Sequence, residues 1–279
     1  MKLKQLRRNA HEKLKECAGV ASPELDADLI IMHALDLSKE ELLTKDPEVS
    51  DAAAVQVNAY INKRLKGVPV QYITGRTEFM SLEFEVNDST LIPRQDTEIL
   101  VEEIIKRCRS AGAQLHILDI GCGSGCIGIS LARYLPSAVV CGIDISEKAL
   151  KTASANAERL MVSGRTRFVR HDIKDGIDGF ESDVIVSNPP YIPSGEISQL
   201  QTEVADFEPR SALDGGTDGL DFYRLIIPDA AGRGALVAFE VGTGQADAVA
   251  AMMKNHGYSD VEIIPDLSGI DRVVLGHAQ

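Results

Sequence analysis

Leu115-His-Ile-Leu-Asp119-Ile-Gly121-Cys122-Gly123-Ser124-Gly125-Cys126-Ile-Gly128 is the stretch on which the fold turns. Leu115 to Ile120 is an apolar run of strand length, and Ile127 to Leu135, stopped by Pro136, has the length of a helix. The glycines between them let the backbone turn tightly and approach a ligand closely. The next helix then offers its free N–H groups to that ligand.

The same alternation continues downstream. Val139 to Ile145 reads as a second strand, and Ser146 caps a helix running to about Leu160. Arg167 to His171 and Asp183 to Ser187 are the third and fourth strands. Ala235 to Glu240, Val261 to Ile264 and Arg272 to Leu275 complete seven. Strands and helices joined by short loops imply a doubly wound, Rossmann-like α/β sheet. The last two strands, parted only by a turn at Leu267-Ser268-Gly269, form an antiparallel hairpin at one edge.

Upstream, Asp96-Thr97-Glu98 opens a helix running to about Ser110. Asp96 is its expected cap, and Glu98 suits its positive end. Tyr72 to Gly75 and Phe79 to Val86 read as short strands of a hairpin-like connector. Residues 1–66 have a helical period instead, with Leu3, Leu6 and Leu14 followed by Leu25, Leu29 and Ile30. Ser22-Pro23 is a helix start with Ser as cap and Pro in the first turn. Asp51 to Lys66 is a further helix ended by Gly67. The expected organisation is a small all-helical domain over 1–69, a β-hairpin connector over 70–95 and the α/β domain over 96–279. The helical part carries no catalytic motif and reads as a docking module for a substrate.

Composition narrows the partners. In 279 residues, 42 acids against 29 bases give a net charge of −13. A duplex-binding surface needs a basic stripe to neutralise phosphates, so stable nucleic-acid binding is not expected. No run of 18 apolar residues suggests a membrane span, and no apolar segment follows the basic N-terminus as a secretory signal requires. A cytoplasmic location is the expectation. The five cysteines are odd in number and form no Cys-x-x-Cys pair, so neither a disulfide framework nor a zinc site is expected.

The ligand of the glycine loop follows from two carboxylates. Gly123-x-Gly125-x-x-Gly128 also fits the dinucleotide fingerprint, so glycines alone do not choose a cofactor. Asp144 ends the second strand, where a carboxylate accepts from both ribose hydroxyls of an adenosine. Asp119 separates the two candidates. It would repel a pyrophosphate but suits the cationic ammonium and sulfonium of S-adenosyl-L-methionine. Asp119, Gly121, Cys122, Gly123, Ser124, Gly125 and Asp144 are therefore the candidate cofactor residues. Asp172 joins them for the adenine amino group, and Ile173 for its ring.

The fourth strand runs into Asn188-Pro189-Pro190-Tyr191. Two prolines remove two backbone donors at the strand end where α/β sheets bind ligands. Asn188 supplies an amide oxygen and Tyr191 an aromatic face. Together they form a receptor for a planar –NH₂ group, which positioning can aim at a sulfonium methyl. These four are the candidate catalytic residues.

Three further segments accompany that tetrapeptide: Gly67-Val-Pro-Val-Gln-Tyr-Ile-Thr-Gly75, Leu91-Ile-Pro-Arg94-Gln-Asp-Thr97-Glu98, and Phe207-Glu208-Pro-Arg-Ser-Ala-Leu213 through Gly219. The set resembles the peptide chain release factor glutamine N5-methyltransferases, the HemK/PrmC family, across essentially the whole chain. The resemblance implies a class I methyltransferase fold and methylation of the glutamine in the Gly-Gly-Gln loop of class I release factors, with Asn188 to Tyr191 binding the substrate and Asn188 also placed with the cofactor set. Gln95 departs from the family's usual proline, and Ile173 stands where some members carry an aromatic. A DNA adenine N6-methyltransferase would need a recognition insert and a basic cleft. A non-catalytic S-adenosylmethionine-binding regulator would not need the tetrapeptide.

Overall fold

Leu3, Leu6, Ala10 and Leu14 recur at helical spacing and are all buried, which fixes the inward face of α1 (Leu3–Lys15). The computed structural model describes residues 1–17, 19–109 and 112–279. α2 (Pro23–Leu35) starts with Pro23 in its first turn as expected. Ser22 does not cap it with its side chain; its carbonyl accepts from Asp26 N instead. α3 (Lys39–Thr44), not expected from the periodicity, is nucleated by a reciprocal capping box between Ser38 and Glu41. α4 (Asp51–Leu65) is capped by Ser50, whose hydroxyl accepts from Ala53 N. Ile30, Ile31, Val57 and Ile61 fill the space between these helices and are fully buried.

The strand expected at Tyr72–Gly75 is a correction. Val70–Thr74 is a single helical turn, α5, because Val70 and Ile73, three apart, both bury into the helical core. Gly75 then ends it with φ +73. The β-branched and aromatic residues that suggest a strand are overruled by that packing.

The chain divides into two compact units, residues 1–76 with 200–207, and residues 77–199 with 208–279. Within the first, Arg64 holds segment 200–207. Its side chain is 3% exposed, with Nε donating to Asp26 Oδ2 at 2.7 Å and Nη2 3.0 Å from Glu203 Oε2. Replacing one partner of such a cluster strands the other charges. Arg64→Leu should therefore cost roughly 3 kcal/mol in denaturant unfolding. A loss below ~1 kcal/mol would show that Asp26 and Glu203 find water or other donors. Charge is unevenly shared between the units. The first holds twelve Lys and Arg against thirteen Asp and Glu, the second seventeen against twenty-nine. Nearly all the net negative charge lies in the α/β unit.

From the last residue of the first unit's main segment, β1 (Arg76–Phe79) leads into the second, and it pairs with β2 (Leu82–Glu85) through a turn at Met80 and Ser81, both with positive φ. α6 (Asp96–Cys108) follows. Asp96 is not its cap; Asp96 Oδ2 lies 3.3 Å from Arg272 Nη2, and the first turn has no side-chain cap. Glu98 instead accepts from Met80 N at 2.7 Å. The expected end at Ser110 lies outside the described residues.

β3 (Leu115–Ile120), α7 (Cys126–Tyr134), β4 (Ala138–Asp144), α8 (Glu147–Arg159), β5 (Thr166–Arg170) and β6 (Val184–Ser187) follow. After them come α9 (Thr202–Ala205), α10 (Asp221–Ala230), β7 (Leu236–Glu240), α11 (Ala246–Asn255), β8 (Tyr258–Pro265) and β9 (Asp271–Ala278). Ser146 caps α8 by accepting from Ala149 N, as expected. Seven strands form one sheet in the order β5-β4-β3-β6-β7-β9-β8. The first five are mutually parallel, and β9 and β8 are antiparallel at the edge. Apolar cores lie on both faces, with α6 and α7 contributing to one and α10 and α11 to the other. This is the expected Rossmann-like fold. Strand order reverses beside β3: the chain leaves it for β4 and β5, then returns to β6 on its other side. Such a switch point opens a crevice at the strands' carboxyl ends.

Candidate active site

The register of the sheet assembles the site. Ile120 pairs with Ile143 on one side and Ser187 on the other, so Gly121, Asp144 and Asn188 leave the sheet at one level. Gly121, Gly123 and Gly125 all take positive φ, between +54° and +80°, which side-chain-bearing residues rarely adopt. Gly121 N and Cys122 N both donate to Ile143 O, folding the loop back over β4.

Asp144 fixes that loop. Its Oδ2 accepts from Gly123 N at 2.9 Å and its Oδ1 from Ser146 N at 2.8 Å. A carboxylate has about four lone-pair sites, so one on each oxygen stays free for a ligand. Asp119 lies deeper, 1% exposed, with Oδ2 accepting from Gly128 N at 2.9 Å and Oδ1 lacking any partner. Burial pushes its carboxyl up to about 7. The Gly128 N–H opposes that rise, and the negative charge of Asp144 adds to it. A buried, under-partnered acid with a second acid, Asp144, beside it favours a cation nearby.

A cavity of about 320 Å³ opens at this level. Gly121, Gly123, Asp144, Asp172, Ile173, Asn188, Pro189 and Pro190 all line it. Asp119, Cys122, Ser124, Gly125 and Tyr191 are not among the lining residues. Cys122 is buried behind the loop, and burial raises its thiol well above the ordinary range, so it stays protonated. Asp172 caps the turn after β5 by accepting from Lys174 N. No group of three or more His, Cys, Asp or Glu among the described residues is arranged to hold a metal ion.

The fourth-strand tetrapeptide is oriented from below. Asn188 Nδ2 donates to Thr97 Oγ1 at 3.2 Å, and Thr97 is 2% exposed at the start of α6. With the amide nitrogen on Thr97, Oδ1 is left as an acceptor, and Asn188 lines the cavity. Pro189 and Pro190 bring no N–H, so this wall consists of acceptors. The cavity is also lined by Ser89 to Leu91 and by Pro209, Ser211, Ala212 and Asp214, residues not singled out one by one from the sequence. Leu91 and the residues from Pro209 onward fall in the longer segments quoted for the family resemblance, whereas Ser89 and Thr90 carried no signal in the sequence. Thr97 and Glu240 were likewise missed as site residues. Glu240, 1% exposed at the end of β7, accepts from Tyr191 Oη at 3.2 Å. Burial pushes its carboxyl up to about 6 despite hydrogen bonding from Thr97 and the nearby Arg272 charge.

The sequence matches two families along its length, the PrmC N-terminal domain over residues 5–75 and the methyltransferase small domain over residues 94–205. A release factor glutamine methyltransferase of Moorella thermoacetica is 42% identical over 267 residues, 93% of either chain. Its namesake in Geobacter sulfurreducens is 42% identical, covering 92% of this chain and 90% of its own. Among solved structures, the hMettl16 catalytic domain in complex with the MAT2A 3'UTR hairpin 6 superposes with a TM-score of 0.59. That match is 15% identical, covers 84% of this chain and 85% of the other, and shows a shared fold.

Proposed function

The chain belongs to the release factor glutamine methyltransferases, and from that we propose how its cleft works and on what. It transfers a methyl group from S-adenosyl-L-methionine to the side-chain amide nitrogen, N5, of the glutamine in the Gly-Gly-Gln motif of class I release factors. The observation that carries this reading is one cavity lined by both the glycine loop with Asp144 and by Asn188-Pro189-Pro190.

The residues present fit the cofactor. The partnerless Oδ1 of Asp119 and the free lone pairs of Asp144 are what a cationic adenosine derivative requires. Gly121 to Gly125, Asp144, Asp172, Ile173 and Asn188 would hold it. When bound, S-adenosyl-L-methionine supplies an electrophilic methyl group on a cationic sulfur. An amide nitrogen is a weak nucleophile because its lone pair is delocalised. Asn188 Oδ1 accepts one of its N–H bonds and grows more favourable as positive charge develops on nitrogen. The proline-lined wall offers further acceptors and no competing donors. Holding the nitrogen in line supplies ~7–11 kcal/mol of the barrier when the fit is close. No base is required before attack, since the alkylated nitrogen is acidic and releases its proton afterwards.

Release factors act in the cytoplasm on soluble machinery, and no helix among the described residues is long and apolar enough to cross a membrane. Residues 1–69 form the docking domain for the factor. Because that part is almost neutral, charge steering of a basic factor falls to the α/β unit. A DNA adenine N6-methyltransferase is disfavoured by the same acidity, and a non-catalytic regulator by the intact acceptor wall.

Mass spectrometry of a class I release factor after incubation with enzyme and labelled cofactor tests the reading. One added CH₂ on the Gly-Gly-Gln peptide is expected; label on DNA and none on the factor overturns it. Cofactor affinity has its own expected pH dependence. Asp119 titrates near 7, and a bound cation favours its ionised form, so binding releases a proton below that pH. Affinity for S-adenosyl-L-methionine should rise about fivefold to tenfold from pH 6 to 7.5. S-adenosylhomocysteine, lacking the sulfonium charge, should rise less. Calorimetric titration decides, and a flat profile for both ligands removes Asp119 from cofactor recognition.

A further inference from the structure

Pro189 and Pro190 have no backbone N–H, so the acceptor wall cannot be pinned by its own main-chain donors. Something beyond it must hold it in place, and the next residue, Tyr191, is gripped at both ends. Its hydroxyl donates to Glu240 Oε1 at 3.2 Å. Its carbonyl accepts from Gln245 Nε2 at 2.8 Å, while Gln245 Oε1 accepts from Gly242 N at 2.9 Å. Gln245 thus bridges the turn after β7 and the tetrapeptide.

The surrounding backbone is closed tightly around the same point. A Cβ at Gly219 would stand 2.2 Å from Tyr191 O, one at Gly215 2.6 Å from Pro190 O, and one at Gly242 3.0 Å from Tyr191 Cδ2. Tyr191 does not line the cavity, so its hydroxyl is engaged away from the substrate. Glu240 is itself fixed: Tyr223 Oη donates to its carbonyl at 2.7 Å. Arg272, which also meets Asp96 and Asp266 at 3.3 Å each, supplies the compensating positive charge beside it.

We propose that Glu240 and Gln245 are positioning residues which, acting through the two ends of Tyr191, fix Asn188, Pro189 and Pro190 as acceptors for the substrate amide. The proposal rests on the reading that this tetrapeptide binds the glutamine. Neither residue touches substrate or cofactor, so their loss lowers turnover and leaves cofactor affinity unchanged. Their effects also depend on Tyr191.

The test compares wild type, Tyr191→Phe, Glu240→Gln, the double variant and Gln245→Met in steady-state methylation of a release factor. Binding of S-adenosyl-L-methionine is followed calorimetrically. Tyr191→Phe and Glu240→Gln should each lower kcat roughly tenfold, as expected for a hydrogen bond to a charged acceptor, with cofactor Kd within about twofold of wild type. The double variant should be slower than the slower single by much less than the product of the two effects, because both act on the Tyr191–Glu240 bond, which Tyr191→Phe removes and Glu240→Gln strips of its charge. Gln245→Met should lower kcat with the same sparing of Kd. A double variant slower by the product of the singles, or wild-type kcat in Gln245→Met, overturns the proposal. If Glu240→Gln fails to fold, the half-buried Gln245 decides alone. If wild type leaves the factor unmethylated, the substrate reading fails. The Tyr191–Glu240 coupling is then read in unfolding free energies of the same four proteins, where additivity overturns it.

Discussion

Asn188→Ala should cut kcat about 100- to 1,000-fold, the usual cost of losing one oriented partner at a developing charge. Asn188 lines the cavity, and its amide is oriented by the 3.2 Å bond from Nδ2 to Thr97 Oγ1. Alanine removes the acceptor that strengthens as nitrogen becomes positive, and nothing else in the wall reproduces it, since Pro189 and Pro190 offer only main-chain carbonyls. Ser187, just before it, is held independently by its hydroxyl bond to Ile120 O at 2.8 Å, so the strand should keep its place. Cofactor affinity should fall only modestly. Steady-state kinetics on a release factor, with calorimetric binding of S-adenosyl-L-methionine, separates the two. Turnover within about threefold of wild type would remove Asn188 from the chemistry, an effect far below that expected for a lost transition-state contact.

Asp144→Ala should weaken S-adenosyl-L-methionine binding by at least about 100-fold. Two charge-assisted bonds to ribose hydroxyls are worth roughly 1.5–3 kcal/mol each. The structure adds a second loss. Both oxygens of Asp144 already hold main-chain donors, Gly123 N and Ser146 N, so alanine also releases the glycine loop and the start of α8. Asp144→Asn does not separate the two contributions. An amide keeps one acceptor but presents an NH₂ to the other main-chain donor, so it should also loosen the loop. A nucleoside without ribose hydroxyls provides the remaining comparison. If wild type loses as much affinity with the dideoxy ligand as Asp144→Ala loses with the natural one, the ribose bonds account for the effect. An unchanged dissociation constant in Asp144→Ala means Asp144 does not hold the ribose.

Several features were legible because they are written in short stretches of chain. The strand from Leu115 to Ile120 and the three glycines with positive φ follow from local composition, as does the Ser146 cap. Other local expectations failed where tertiary contacts competed. Val70–Thr74 has strand-forming residues yet turns as a helix, because Val70 and Ile73 reach the helical core only at three-residue spacing. Asp96 has cap chemistry, but Arg272, 176 positions away, lies beside its carboxylate. Ser22 is overruled by its own backbone, which leaves its side chain unable to meet the helix N–H groups.

By itself the sequence determined the doubly wound sheet, and it marked the glycine loop with its two carboxylates and Asn188-Pro189-Pro190-Tyr191 as the candidate site. All of these depend on backbone conformation and periodicity within a few residues. Only the tertiary structure decided which lone pair meets which donor. It placed Glu240 and Gln245, 49 and 54 positions beyond Tyr191, at the two ends of that residue. It left Asp119 Oδ1 buried without a partner and put segment 200–207 with the helical unit under Arg64. The physical reason is strand order. β7 comes to lie beside β6, and β9 beside β7, only when the sheet forms, and no local pattern encodes which side chains those pairings bring together.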